Sequence, residues 1–243
     1  MTPTLGEQTW SDLAGRAPLV ILPLGSCEQH GPHLPVETDT AIAASVAREA
    51  ARELARDVDV LLAPAQPYAA SGEHEGFPGT VSIGHEALRV LLLELGRSLF
   101  RWAGRLLVVN GHGGNAPTLA DAVARLRAEG RDAAWWACTT DSGDAHAGRS
   151  ETALMLALDP RTVRTERAEP GRTEPIAELM PALRASAVRR VSPNGVLGNP
   201  AGASAAEGER MLETMAAAVR ASARAWRVLP DGRLEAGHME AAV

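Results

Sequence analysis

Short apolar runs separated by longer amphipathic or alanine-rich stretches recur along most of this chain, and that alternation constrains its fold more than any other feature. Pro18–Leu24 (PLVILPL) has the length of a buried strand, and Thr40–Asp57, rich in Ala, Arg and Glu, that of a helix. Val58–Ala63 reads as the next strand, followed by a long loop at Pro64–Gly84 and a helix near His85–Ala103. Arg105–Val109, Thr118–Glu129, Asp132–Cys138 and Ser150–Leu158 continue the series as strand, helix, strand and helix. Such a series implies parallel β-α-β units in an α/β domain.

Beyond Asp159 the pattern weakens, because Pro and Gly punctuate the chain as far as Ala203. Ser204-Ala-Ala-Glu207 has the form of a capping box, in which serine and glutamate satisfy free backbone N–H groups. It opens a last long helix to about Trp226. The 243 residues suit one domain with a substantial core. With no internal repeat and no low-complexity linker, residues 1–226 read as that domain and 227–243 as a loose tail.

Composition removes several function classes. A net charge of −6 disfavours nucleic-acid binding. No apolar run approaches the ~18 residues that span a bilayer, and the N-terminus lacks a signal-peptide pattern, so a cytoplasmic protein is expected. Cys27 and Cys138 are too few for a disulfide framework. All 24 basic residues are arginine. Without lysine, Schiff-base catalysis and P-loop phosphate binding are excluded for this chain acting alone. Dinucleotide binding has little support either, since no proper G-x-G-x-x-G follows a strand.

The polar clusters fall just after expected strands. The first strand runs into GSCEQHGPHLP (25–35) and Asp39, the third into NGHGGN (110–115), and the fourth into residues 139–142 and HAGRSE (146–151). Ligands of open α/β sheets bind at the carboxyl ends of parallel strands, so the three clusters should converge. Glu28 and His30, two apart, point to the same side of an extended segment. Asp39 sits at a helix start, where the dipole favours a carboxylate, and His112 in a glycine-lined turn that lets backbone approach a ligand. Imidazole and carboxylate without thiolate suit Zn, Mn or Fe at a catalytic site with an open position, and Asp39 is placed to bridge two ions. Each element has a plainer reading. GHGGN also makes a tight helix entry with Asn115 as N-cap, and Glu151 an ordinary first-turn carboxylate. Glu73-His74 lies in a long loop and is as readily a structural turn as a substrate contact. Cys27 is more often a small buried residue than a nucleophile. His33, His85 and His238 receive no role.

GSCEQHGPHLPVETDT (25–40), SGEHEGFPGTVSIG (71–84), NGHGGN (110–115) and HAGRSET (146–152) together resemble the creatininase family, in its order and across most of the chain. The resemblance implies a three-layer α/β/α fold with a mainly parallel sheet, homo-oligomers (a hexamer or similar) and two divalent metal ions per protomer (Zn, Fe or Mn). It makes Glu28, His30, Asp39 and His112 metal ligands, with Asp39 as bridge. Creatinine-cleaving members carry a glutamate two residues after the loop histidine, where this chain has Gly114. That departure counts against creatinine as substrate and makes Glu151 the natural replacement ligand. If a helix begins near Ser150, Glu151 and His146 face one centre, whereas five residues apart on one helix they would point ~140° apart. Within the family, the 71–80 run, HAGRSET and SPNGVLGNPAGASAAEGE (192–209) are most similar to members acting on a ribosomally made precursor peptide. Those release a modified C-terminal Val–Tyr unit for a redox cofactor. The metal cluster points to metal-assisted peptide hydrolysis, with His146 as the candidate to carry a proton to the leaving amine and Glu73 or His74 as alternates or substrate contacts. Its rivals are the same chemistry on a small cyclic or formylated amide, and a non-catalytic metal-binding escort for the peptide.

Overall fold

The computed structural model describes residues 2–139 and 144–236. Four strands, β1 (Leu19–Leu24), β2 (Val60–Leu62), β3 (Arg105–Asn110) and β4 (Ala133–Ala137), form one parallel sheet in the order β2-β1-β3-β4. A short α1 (Trp10–Leu13) precedes the sheet. The crossovers are α2 (Thr38–Leu54), α3 (Gly84–Leu99) and α4 (Ala116–Ala128). After β4 come α5 (Arg149–Leu158), α6 (Ile176–Ser186), α7 (Val188–Val191) and α8 (Ala205–Ala225). The expected alternation of strand and helix is present, with boundaries moved by a few residues.

Strand residues alternate between the two faces. Leu19, Ile21, Leu107, Val109 and Trp136 pack with residues of α2, α5 and α8, whereas Val20, Leu22, Leu106, Val108 and Trp135 pack with residues of α3 and α4. This is a three-layer α/β/α arrangement. In α2, Ile42, Ala43, Val46, Ala47, Ala50, Ala51 and Leu54 make one buried stripe at helical spacing. Central β1 tolerates Pro23 because alternate residues bond opposite neighbours. Leu19 and Gly25 donate toward the β2 side, so the N–H that proline lacks would face a flank that β2 has already left at Leu62.

The chain steps from β1 outward to β2, then back across to β3 and on to β4. The reversal leaves a crevice between the carboxyl ends of β1 and β3, where ligands of doubly wound sheets bind.

Three expectations change. The region after Asp159 contains α6 and α7, hidden in the sequence because Pro181 interrupts α6 and Leu179 is its only buried residue. The capping box is half made. Ser204 Oγ accepts from the Glu207 N–H, but the Glu207 carboxylate pairs with Arg149 at 2.9 Å. Of the tail expected to be loose, residues as far as Leu234 are fastened to β4, with Leu234 N donating to Trp135 O and Trp135 N to Gly232 O. His238 lies outside the described residues.

Candidate metal centre

Glycine sets the framework of the crevice. A Cβ on Gly25 would overlap the backbone of Thr40, and one on Gly111 the carbonyl of Asp39. The ends of β1 and β3 therefore close directly on the first turn of α2, which carries Asp39. Gly25 and Gly111 serve backbone-to-backbone approach, and Gly111, Gly113 and Gly114 of the turn around His112 also line the cavity. Asn115, expected as an N-cap, makes no cap bond. Its side chain donates to the Gly25 carbonyl (3.0 Å) and to Asn110 Oδ1 (3.1 Å), and its Oδ1 accepts from Ala70 N at 3.2 Å, pinning three loops together.

Into this frame project Glu28, His30, Asp39, His74, His112 and His146, all buried, with half-buried Glu73 and Glu151 at the edge. His30 Nε2 is 3.1 Å from Asp39 Oδ1 and 3.8 Å from Glu151 Oε2. His112 Nδ1 lies 3.2 Å from Glu28 Oε2 and 3.4 Å from Asp39 Oδ2. Glu28, Asp39 and His112 form one potential ligand triad, and His30, Asp39 and Glu151 a second, with Asp39 common to both. Glu28, His30 and His146 form a third combination. Ala147, at φ 52°, turns the chain between His146 and α5, and its N–H donates to Glu151 Oε2 at 2.6 Å.

The place a residue-114 side chain would take is already filled. A Cβ on Gly114 would overlap His112 Nε2 and Glu73 Oε1, which stand 3.3 Å apart. Glu73 thus stands beside His112, while Glu151 stands with His30 and Asp39.

Gln29 holds the neighbouring imidazoles. His146 Nε2 is 2.8 Å from the Gln29 carbonyl and 2.9 Å from the Gln29 side-chain nitrogen, and its Nδ1 lies 3.7 Å from Glu28 Oε1. The Gln29 amide is oriented by the Gly31 N–H donating to its Oε1 (2.8 Å). Its NH2 then donates to Gly195 O (3.1 Å) and lies 2.9 Å from both His74 Nδ1 and His146 Nε2. His74 Nε2 lies 3.3 Å from Glu28 Oε1, a close contact without hydrogen-bond geometry. Ser26 Oγ lies against Glu28 Oε2 and 3.0 Å from Asp39 Oδ2. Sequence reasoning passed over Ser26 and Gln29. The available signal was their place on either side of Glu28, within the strand-end cluster itself.

The electrostatics suit a cation. Burial opposes charge on His30, yet Asp39 beside it carries its pKa up to about 10. Burial opposes charge on His112 as well, and Glu28 and Asp39 outweigh it, raising the ring well above its usual value. Burial raises Glu28 and Glu151. Burial would also raise Asp39, but His30 and His112 hold it below the usual carboxylate range. Burial and His30 lower His146 to about 4, keeping it neutral. Glu28 Oε1 and His112 Nε2 are buried without a hydrogen-bond partner. Buried polar atoms left so are costly unless a ligand completes them. The all-oxygen-and-nitrogen donor set and these incomplete atoms fit divalent cations.

The cavity above the cluster holds about 560 Å3. Asp39, Glu73, His74, His112, His146 and Glu151 line it together with Ile176, Met180, Leu183, Arg184, Val188 and Leu197. His85, given no role, also lines it, with Nδ1 2.8 Å from Thr118 Oγ1. Cys27 does not, and its Sγ turns to the Gly79 carbonyl at 3.5 Å. His33 packs as expected, 2.9 Å from Thr152 Oγ1.

Comparison with known proteins agrees with this architecture. The creatininase family profile, described as creatinine amidohydrolase, matches residues 6–222. The chain is 51% identical over 235 residues to a mycofactocin precursor peptide peptidase of Mycobacterium ulcerans, covering 95% of this chain and 94% of that one. It is 52% identical over 237 residues to a protein of the same name from Mycobacterium tuberculosis, with the same coverage. A solved Mn creatininase superposes with a TM-score of 0.77 at 26% identity, over 93% of this chain and 98% of that one. A Zn-Zn type creatininase mutant superposes with 0.76 at 26% identity, over 91% and 97%.

Proposed function

The chain belongs to the creatininase family, and from that premise we propose that it is a metal-dependent peptidase acting on the mycofactocin precursor peptide. The observation that carries the reading is the pair of ligand triads sharing Asp39 at the floor of a peptide-sized cavity. The names of relatives at about half identity supply the substrate. The finer product is a C-terminal Val–Tyr unit bearing the tyrosine modification.

Two divalent ions, Zn, Mn or Fe, fit the donor set: Glu28, Asp39 and His112 would hold one, and His30, Asp39 and Glu151 the other. Such ions supply Lewis acidity, activating water and polarising a carbonyl. The protein's own residues do the rest. His146 is neutral and held at Nε2 by Gln29, with Nδ1 on the side of the cluster, and it takes up a proton and passes it to the leaving amine. His74 and Ser26 hold Glu28 from two sides, and Glu73 stands behind His112. Both arrangements fix ligands from outside, as second partners of metal-bound groups do. Glu73 and His74 are thereby positioning residues in this reading, with the open face of Glu73 also available to substrate.

The reading includes a cytoplasmic homo-oligomer. Among the described residues no helix is long and apolar enough to cross a membrane. Trp10, Val81 and Val90 are large apolar side chains open to solvent, which supports self-association and is measured by sedimentation. The decisive experiment is mass spectrometry of the tyrosine-modified precursor incubated with metal-loaded and with chelated protein. Metal-dependent loss of the C-terminal unit is expected. An intact peptide with a hydrolysed small formylated or cyclic amide would move the substrate, and binding without any product would make the chain an escort.

A further inference from the structure

Helix α6 lines the cavity with Ile176, Met180 and Leu183, yet little fastens it to the rest of the protein. Leu179 is its only buried residue. Leu179 and half-buried Leu183 rest on Val191 and Leu197, a small cluster separate from the two cores that cover the sheet. Among the described residues, no side chain of α6 makes a hydrogen bond or ion pair outside the helix, and the Ser186 hydroxyl donates to Ala182 O within it. The anchors lie at either end. Before α6, Gly171 N donates to Gly198 O (3.1 Å) and Arg172 N to Val196 O (3.1 Å). From there to the helix, no backbone bond ties residues 173–175 to another part of the described chain. After α6, Val188 and Val191 of α7 are buried. Arg189 donates to the Gly76 carbonyl and holds its guanidinium 5.3 Å from the centre of the Phe77 ring. Helix α7 is thus tied to the loop that carries Glu73 and His74.

Ala187, the single residue between α6 and α7, has φ 63° and ψ 169°. That region is open essentially to glycine alone, and a residue with a side chain is strained there. Such strain persists only where the surroundings hold it, and here it sits between a fixed helix and a loosely held one. Rotation of Ala187 to an ordinary negative φ relieves it and swings α6. A polypeptide substrate needs a movement of this kind, since the bond to be cut must reach side chains as buried as Glu28, His30 and Asp39. We propose that α6 is a hinged lid on the cavity. It swings about Ala187 and residues 173–175 to admit the peptide, then returns to lay Ile176, Met180 and Leu183 against it. Lids of this type gate substrate entry and product release. The occupant named here rests on the peptidase reading, whereas the hinge does not.

Hydrogen exchange of the full metal-loaded protein tests the hinge. Residues 176–186 are expected to exchange at least about 100-fold faster than α8, the signature of a locally opening segment. Ala187→Gly removes the strain of the seated form and should slow that exchange about fivefold or more. Ala187→Val, β-branched and worse placed at positive φ, should quicken it. The glycine variant carries the test alone where the valine variant does not fold. Cleavage of the tyrosine-modified precursor follows the opening. In Ala187→Gly, kcat/KM falls by a factor similar to that of the exchange, because admission depends on the open population, while metal content stays at the wild-type level. Exchange of α6 as slow as that of α8, or equal exchange in wild type and Ala187→Gly, overturns the lid. Slowed exchange in Ala187→Gly with an unchanged kcat/KM overturns its part in admitting the peptide. Failure of metal-loaded wild type to cut the precursor, with α6 exchanging as expected, removes the peptidase reading and leaves the hinge standing.

Discussion

Gly111→Ala is the sharpest test of how this centre is built. The added Cβ would stand 2.3 Å from the carbonyl oxygen of Asp39, 3.1 Å from its carbonyl carbon and 3.3 Å from Ala43 Cβ. A carbon and a carbonyl oxygen rest at about 3.3 Å or more, so the β3 end and the first turn of α2 must separate by about 1 Å. Both are backbone, and no side-chain rotation relieves the overlap. Overpacking of this kind costs about 1–3 kcal/mol, which for a domain of this size lowers Tm by roughly 2–12 °C. The larger effect falls on the ligands. Asp39 moves with α2 and His112 with β3, while metal–ligand distances tolerate only about 0.2 Å. Metal affinity should drop at least about tenfold, read by competition with a chromogenic chelator alongside thermal melting. Gly113→Ala is the control, since a Cβ there meets nothing within 4 Å. Wild-type affinity and Tm in Gly111→Ala would refute the claim that glycine contacts position Asp39.

Further expectations follow from the same geometry. Glu73→Gln keeps the shape beside His112 but removes the charge, and should weaken metal retention about 10- to 100-fold with little change in Tm; unchanged retention would strip Glu73 of its positioning role. His30 and His112 are held protonated above neutrality without metal, so ion binding should release protons and tighten as pH rises. Calorimetry in buffers of different ionisation enthalpy reads this, and a heat independent of buffer would contradict it. Burial and the neighbouring His30 lower His33 to about 4, below its value near 6.5 in an unfolded chain. The unfolded state therefore takes the proton first, and the contribution of His33 is complete above pH 6.5 and lost as pH falls toward 4. In His33→Gln, urea-unfolding stability should fall less steeply over that window; parallel slopes would refute it.

Much of this was legible in the sequence because β1, β3 and β4 are short apolar runs ending in polar loops, a pattern that follows from burial on both sheet faces. The same logic brought Glu28, His30, Asp39, His112, His146 and Glu151 toward one crevice before any coordinates. What stayed hidden depends on contacts distant in the chain. The Ser26 hydroxyl acquires meaning only beside Glu28 and Asp39, and Gln29 only between His74 and Gly195. Gly114 read as a missing ligand, and only the folded loop brings Glu73 into its space. Helix α6 escaped because a helix lining an open cavity leaves no buried stripe to detect.

The dispersal of the cluster along the chain bears on how the protein is made. Glu28 and Asp39 leave the ribosome early, whereas Glu151 comes only after β3, α4 and β4 have been synthesised. A nascent chain can offer an ion isolated pairs, never either complete set, until the crossing from β2 back to β3 has formed. Long-range closure of that kind is slow. Until then the acidic and imidazole groups are an open, promiscuous chelator. In the proposed reading, ion choice would therefore be set by what the finished cavity retains, and metal availability late in folding would act as a chaperone-like pull toward the native state, since an ion held only by that state deepens its basin.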